Sequence, residues 1–576
     1  MSPPHTEDCN AELVSWLQES DRKKQMVQDK GFASFLKRVQ TLPGIYSPPC
    51  KKEVDRAYVR RGDKGRENAK KWVNEVKAEG LKVSIAGDIV SSGDLSILAI
   101  TGYATMERYA SEREFSRQCP LVIEEKVLAA VKFNTKNHTG DNILQLTRDE
   151  LQKIGLEDLY VDVFRKCSDG ASNMKKGWGG FEGGKNSCAI HKLERCGLHY
   201  YDDPETAHVA ANRNKLAGHL HMSLLSQDAL RDSQKKFELP ERRAVQSCAT
   251  RWRSEHDQSR WYRQNEPALN DARYLVEGPP GFSEHMLTKE EFILNNEEEV
   301  IMNQQARVEL ALEPTITPTC SLVIPLADAL MSAMSTKNGI IMSDGTKVKA
   351  VDMHPASLRS RTAVYEHIVA AFETEVDSEW LTTMQIATVL DPTQKAFNLR
   401  HKSAPALRKF KKEAVEKAKT MFNMSFKEIQ VENAEKPEKA LEFEGEDPAP
   451  KRRKLDPSMK RDYAVDLAGL LGREDEEDED EEEDVASAKD EWALYLEEPQ
   501  IAPTADVLKW WWQNKTKYPR LYMMARQMLA VPACSSGVER LFSKLARNYD
   551  DSQKNRTLDN MLSRVKVMSL GACTLE

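Results

Sequence analysis

Residues 83–105 read VSIAGDIVSSGDLSILAITGYAT, and how this stretch divides decides the fold. VSIAGD (83–88) and SILAITGYAT (96–105) are rich in β-branched and apolar residues, and the intervening SSGD has turn chemistry, so the pair reads as a β-hairpin. VLAAVKF (127–133) offers a third strand. In GDNILQLTRDELQKIG (140–155) the apolar period becomes 3.6, with Ile143, Leu144, Leu146 and Leu151, which predicts a helix ending near Gly155. VDVFRKCSD (161–169) returns to strand chemistry. Strand, strand, strand, helix, strand is the opening of an α/β domain. That order allows the first and fourth strands to be neighbours, which places Asp88 and Asp169, each at a strand end, on one sheet edge.

The chain has 576 residues, too many for one ordinary core, so two or three domains are expected. Hydrophobic content of 40% supports globular folding, and 30% charged residues with a mean hydropathy of −0.61 argue against a membrane protein. No run of 18 apolar residues occurs, and MSPPHTEDCN lacks the basic and apolar regions of a signal peptide. Ten scattered cysteines suit a reducing compartment. The expectation is a soluble protein that is not secreted. Its formal charge is −8, but EDEEDEDEEED (474–484) carries eleven acids, and the remainder is about +3, compatible with a polyanionic partner.

Beyond residue 200 most segments read as helical, for example 404–420 and 518–530, the latter with Pro519 near its start. Residues 426–490 lose the pattern and read as a disordered linker. Within it Lys451, Arg452, Arg453 and Lys454 in PKRRKLD form a compact basic cluster suited to a nuclear import receptor, or else a solvated run balancing the nearby acids. Order resumes at EWALYL (491–496).

In VPACSSGVERLFSKLA (531–546) small residues lead into Val538, Leu541, Phe542 and Leu545, the spacing of a buried helix face. Ser535 or Ser536 can cap that helix, and Glu539 in its first turn faces the positive end of the helix dipole. A sharper role for Glu539 needs Asp88 and Asp169 beside it. Three converging carboxylates repel one another unless cations neutralise them, which points to Mg²⁺ or Mn²⁺ and to two-metal activation of a phosphodiester.

Six segments occur in an order that resembles the hAT superfamily of transposases: AGDIVSSGDLSILAITGYA (86–104), KCSDGASNM (166–174), SCAIH (187–191), ATRWRS (249–254), ATVLDP (387–392) and WWWQNKTKYPRLYMMARQMLAVPACSSGVERLFS (510–543). The likeness runs from about residue 30 to 571, interrupted by the linker. It implies an α/β, RNase H-like catalytic core at 81–200, a mostly α-helical insertion at 201–425, and a helical C-terminal dimerisation region at 491–571 that completes the core. It also implies that Asp88, Asp169 and Glu539 are the DDE acids, that Trp252 beside Arg251 stacks on a flipped base, and that Cys188 and His191 form the Cys-x-x-His motif. The activity implied is nuclear DNA strand cleavage and transfer at transposon ends by a homodimer or higher oligomer. The alternative is a catalytically inactive, domesticated dimeric DNA- or chromatin-binding protein.

Departures matter as much. Val90 stands where the family usually has tryptophan, and residues 1–80 hold only Cys9, Cys50 and His5, too few ligands for the BED finger many members carry. In their place the basic helix 64–77, with Lys70 and Lys71, offers phosphate contacts. Cys188, His191, Cys196 and His199 have the spacing of a zinc knuckle, but that spacing also suits a strand running into a helix. Trp510, Trp511 and Trp512 read as core of the dimerisation segment.

Overall fold

A computed structural model describes residues 30–40, 51–92, 95–108, 119–133, 137–179, 185–247, 253–275, 282–426 and 491–548. Helices α1 (Lys30–Gln40) and α2 (Lys51–Ala78) come first. Two compact units divide inside α2, between Gly65 and Arg66; among the described residues the first holds α1 and the opening of α2. The second holds all the elements below.

Five strands form one mixed sheet: β1 (Val83–Ser92), β2 (Leu95–Glu107), β3 (Leu121–Lys132), β4 (Val163–Ser168) and β5 (Lys185–Ser187), in the order β3-β2-β1-β4-β5. The hairpin forms as its composition predicts, with Asp88 opposite Ala99. The third strand starts at Leu121, not Val127, because Leu121 and Ile123 bury against the core and alternate with half-buried Val122 and Glu124. Helix α3 (Gly140–Gln152) ends three residues before Gly155; its buried stripe is Ile143, Thr147 and Leu151, with Thr147 accepting a hydrogen bond from Trp178 Nε1. A single helical turn, α4 (Leu159–Asp162), takes the first residues expected in the fourth strand. β4 then runs parallel to β1, with Ser168 opposite Gly87, and β5 parallel to β4, with Ser187 opposite Ser168.

This register positions the site. Asp88 is next to Gly87, where the pairing of β1 with β4 ends, and Asp169 follows Ser168, so the two acids stand at the same level of neighbouring parallel strands. β1 itself runs on beside β2 to Ser92, so Asp88 lies inside its strand and not at the end expected from the sequence. The carboxyl ends of parallel strands are where α/β sheets gather their functional groups. Gly170, at φ +83°, turns the chain out of β4 into α5 (Ser172–Trp178), a backbone conformation that side chains disfavour. β5 leads through Cys188 into α6 (Ala189–Leu198), whose third residue is His191.

The remaining helices are α7 (Pro204–Met222), α8 (Leu224–Lys236), α9 (Ser254–Leu275), α10 (Lys289–Leu312), α11 (Val323–Met334), α12 (Pro355–Val369), α13 (Ser378–Val389) and α14 (Ala404–Ser425), with a small two-stranded sheet, β6 (Ile340–Ile341) and β7 (Lys347–Val348). Two apolar clusters divide them. Val209, Leu216, Trp261, Leu269 and Phe292 belong to one, whereas Ile301, Leu326, Met384 and Phe422 share the other with sheet residues such as Ala86, Tyr103 and Cys167. The sheet's core therefore continues through much of the helical stretch.

The C-terminal helices α15 (Glu491–Glu497), α16 (Val507–Gln513), α17 (Pro519–Leu529) and α18 (Ser536–Asn548) belong to that same core. α17 presents Leu521, Met524, Ala525 and Met528 at helical spacing, all buried, the leucine and the two methionines each contributing roughly 1.5–3 kcal/mol. Its polar residues tie it to the sheet: the Gln527 amide exchanges two 2.8 Å hydrogen bonds with the Lys82 backbone, and Thr105 donates to Arg526 O. Trp511 is fully buried and donates from Nε1 to Leu390 O, with Trp510 and Trp512 packed beside it.

Candidate functional site

α18 reaches the sheet because its second residue is Gly537. A Cβ there would collide with the Tyr103 hydroxyl and the Glu125 carboxylate, so only glycine lets the helix lie so close to β2 and β3. Arg540 holds it there, donating to Glu125 Oε2 at 2.9 Å. Val538 and Leu541 are buried, and between them Glu539 turns toward β1. Ser535 stands at the cap position, its carbonyl accepting from Glu539 N–H at 3.2 Å, but neither serine hydroxyl bonds the free N–H groups of the first turn. Ser535 Oγ donates to Glu539 Oε1 at 3.4 Å, and Ser536 Oγ donates to Glu313 O at 2.7 Å.

α6 comes to the same place. Its Ala189 N–H donates to Ala533 O at 2.9 Å, and Ser535 N–H donates to Cys188 Sγ at 3.4 Å, so the turn before α18 is docked on the first turn of α6. The result is a cluster in which one ligand atom each from Asp88, His191 and Glu539 lie within 4.8 Å of one another. Glu539 Oε1 stands 3.9 Å from His191 Nε2. Asp169 lies close enough to act on the Asp88 charge, with its own Oδ1 accepting from Ala171 N–H.

Charge crowding shows in the titration of these groups. Burial, then the Asp169 carboxylate, pushes Asp88 up to about 7, against the Ile89 N–H that donates to it at 2.7 Å. Burial, with Cys188 and Asp88 adding to it, pushes Glu539 up to about 9. Burial opposes charge on His191, but Cys188, Glu539 and Asp88 outweigh it and hold the imidazole up to about 10. At Cys188 burial raises the thiol, while Cys167 and His191 pull it well below its ordinary value. Behind them burial lifts Glu194 to about 7 and Glu309 to about 8. One imidazolium faces several acids, so the site favours added positive charge.

His191 is the group whose role the sequence did not supply. Cys-x-x-His following a strand was its signal, and the structure adds it to the acids. The four-residue zinc spacing does not converge: Cys188 and Cys196 are buried in the core, while His199, at the other end of α6, pairs with Asp202 at 2.7 Å. Lys70 and Lys71 are exposed on α2. Arg251 and Trp252 lie outside the described residues, as do Lys451, Arg452, Arg453 and Lys454. Arg253, the next described residue, sits at φ +60° with its guanidinium 3.2 Å from Glu313, whose carbonyl receives Ser536 Oγ. Asp391 of ATVLDP is buried and structural, accepting from Ser321 and Thr393.

Comparison with known proteins bears on the C-terminal part of this site. Residues 491–564, which include Glu539, match the hAT family C-terminal dimerisation region. Zinc finger BED domain-containing protein RICESLEEPER 4 from Oryza sativa subsp. japonica is 54% identical over 52 residues, 9% of this chain and 8% of that protein. Zinc finger BED domain-containing protein DAYSLEEPER from Arabidopsis thaliana is 38% identical over 65 residues, 11% of this chain and 9% of that protein. The matched segments thus span less than a tenth of either relative's own length. Among the described residues, no helix is long and apolar enough to cross a membrane.

Proposed function

We propose, for a chain that carries the hAT family C-terminal dimerisation region, a DNA transposase that cleaves and transfers DNA strands at transposon ends in the nucleus. Asp88, Asp169 and Glu539 are its DDE acids, on an RNase H-like core. The dimerisation region supports a homo-oligomer. The observation that carries the proposal is the meeting of Asp88 and Glu539, separated by 451 positions in the numbering, with ligand atoms within 4.8 Å of each other and of His191.

The donor set fits a hard divalent cation. Two carboxylates lie together, a third, Asp169, acts on the Asp88 charge from outside that cluster, and carboxylate oxygens are what Mg²⁺ and Mn²⁺ take. Asp88, Asp169 and Glu539 would hold the metal, which when bound supplies activation of the attacking oxygen and stabilisation of the leaving one. The chain's own residues do the rest. β1, β4 and α18 fix the three acids from rigid elements, Gly537 and Arg540 set the height of Glu539, and His191 keeps a proton beside the Glu539 carboxylate. Lys70, Lys71, Arg251 and Trp252 are proposed to hold DNA, the last by base stacking worth about 1–3 kcal/mol. Lys451–Lys454 are proposed to bind an import receptor.

The test is Mg²⁺-dependent nicking of DNA carrying the inverted repeats that flank the coding region, by wild type and Glu539→Gln, with DNA affinity measured at one salt concentration. Nicking should collapse in the variant while binding persists. Equal nicking by both would reduce Glu539 to a helix-start residue. One observation favours the domesticated, non-cleaving alternative: His191 already supplies a cation to the same acids. Absence of nicking by wild type, with DNA binding intact, would select that reading.

A further inference from the structure

We infer that His199, Asp202 and His367 form a second cation site, for a borderline transition metal such as Zn²⁺, at the C-terminal end of α6. One ligand atom from each lies within 4.8 Å of the others. His199 is the C-cap of α6 and begins the 3-10 turn His199–Asp202; His367 stands in the last turn of α12. The chemistry is borderline, two imidazoles and one carboxylate, which suits Zn²⁺ and its neighbours in the first transition row and suits Mg²⁺ poorly.

The imidazoles of His199 and His367 lie stacked, with centroids 3.3 Å apart and planes 11° apart. Each nitrogen lone pair lies in its own ring plane, so to share one tetrahedral ion the rings must turn out of this stack until their centroids stand roughly 5 Å apart. His367 is exposed and has room to turn. His199 Nδ1 and Asp202 Oδ2 are 2.7 Å apart, so a shared proton holds the pair where a metal ion could replace it. His199 also caps the C-terminus of α6, where the dipole presents negative charge and favours a cation. Asp202 is 65% exposed and His199 36%, so an ion has an open path. Three protein ligands leave a fourth position for water.

Such an ion would fasten α12 to α6, the helix whose first turn presents His191. It is a clamp on the acid cluster's neighbour and takes no part in cutting.

Co²⁺ is the probe, added to the full-length, metal-stripped chain in excess Mg²⁺, with tetrahedral Co²⁺ absorption and equilibrium dialysis as readouts. Asp88→Asn is the background that removes one carboxylate of the competing cluster and so weakens it. One equivalent should bind in wild type and in Asp88→Asn, and His367→Ala should weaken it by at least about tenfold in either background. Asp202→Asn, at an exposed position, is the second variant, and circular dichroism confirms that both remain folded. Affinity unchanged by both substitutions, or Co²⁺ binding abolished by Asp88→Asn alone, would overturn the inference. Because Asp88→Asn separates the two sites, failure here leaves the transposase reading standing, and failure of that reading leaves this one.

Discussion

α6 is ten residues, about 15 Å long, and each of its ends gathers imidazole and carboxylate in different proportions and surroundings. At the first turn His191 meets Asp88 and Glu539 in a half-buried setting, where burial, with neighbouring charge adding to it, lifts both carboxyl groups far above their ordinary range. At the last turn two histidines meet one acid in the open. Ion preference follows from donor type and burial together. Oxygen-rich, confined groups select a hard cation, and nitrogen-rich, exposed groups a borderline one.

On the transposase proposal, the largest effect that separates the ends is on strand nicking. Glu539→Gln keeps the shape of the first-turn cluster and removes one negative ligand, so Mg²⁺-dependent nicking should fall by orders of magnitude while Co²⁺ binding at the other end is unchanged. Loss of Co²⁺ binding in that variant would mean that the ends are not independent.

A core substitution should instead disturb both. Leu193, 1% exposed, seats the middle of α6 in the main apolar cluster. Leu193→Ala should destabilise the protein by about 2–5 kcal/mol, read by denaturant unfolding, and weaken ion binding at both ends. Intact binding at one end would show that end to be held by its other elements.

A smaller, pH-linked effect distinguishes them next. Asp88 and Glu539 have folded-state pKa values raised to about 7 and about 9, so the stability tied to their protonated forms is full below the ordinary carboxylate range and is lost as pH rises from that range to about 7 for Asp88 and about 9 for Glu539. His191, held up to about 10, acts in the same sense as it loses its proton. Lys192 and Lys395, both lowered to about 8 by burial, act in the opposite sense. Thermal melts of the metal-stripped chain should therefore show a steeper decline between about pH 4 and pH 7 for wild type than for Asp88→Asn. Mg²⁺ should restore more stability at pH 9 than at pH 6, since ligand carboxylates must be ionised to bind it. Identical slopes for the two proteins would remove Asp88 from the cluster's titration.

The smallest effect belongs to the exposed end. Without metal, Asp202→Asn should change stability by no more than about 0.5 kcal/mol, as a solvent-facing ion pair contributes little. A larger loss would mean that the His199–Asp202 pair is already structural.

The sheet was legible from residues 83–169 because strand composition and the switch to a 3.6 period are local signals. Asp169 was legible for the same reason, falling just after a strand end, whereas Asp88 lies inside β1, which runs past the turn composition to Ser92. Glu539 could be placed on a helix but not against β1, since Gly537 and Arg540 act through Tyr103 and Glu125, more than 400 positions earlier in the chain. His367 carried no signal at all. Its partner His199 is far away in sequence, and the stacking of the two rings depends on how α12 packs on α6. β3 was begun six residues late because its first residues alternate with charged ones, Glu124 and Glu125, that pair with Arg108, Trp72 and Arg540 instead of facing water.

The docking of Ala533 and Ser535 onto the first turn of α6 also sets a timetable for synthesis. The five strands and α6 can emerge from the ribosome and pair early, but Glu539 follows α6 by about 340 residues, and at roughly 5–20 residues per second that interval is on the order of a minute or less. During it the nascent chain has its two aspartates and no glutamate. A message cut short anywhere before codon 539 therefore yields a polypeptide without the complete acid set, so that completeness of translation is itself a condition for assembling the site.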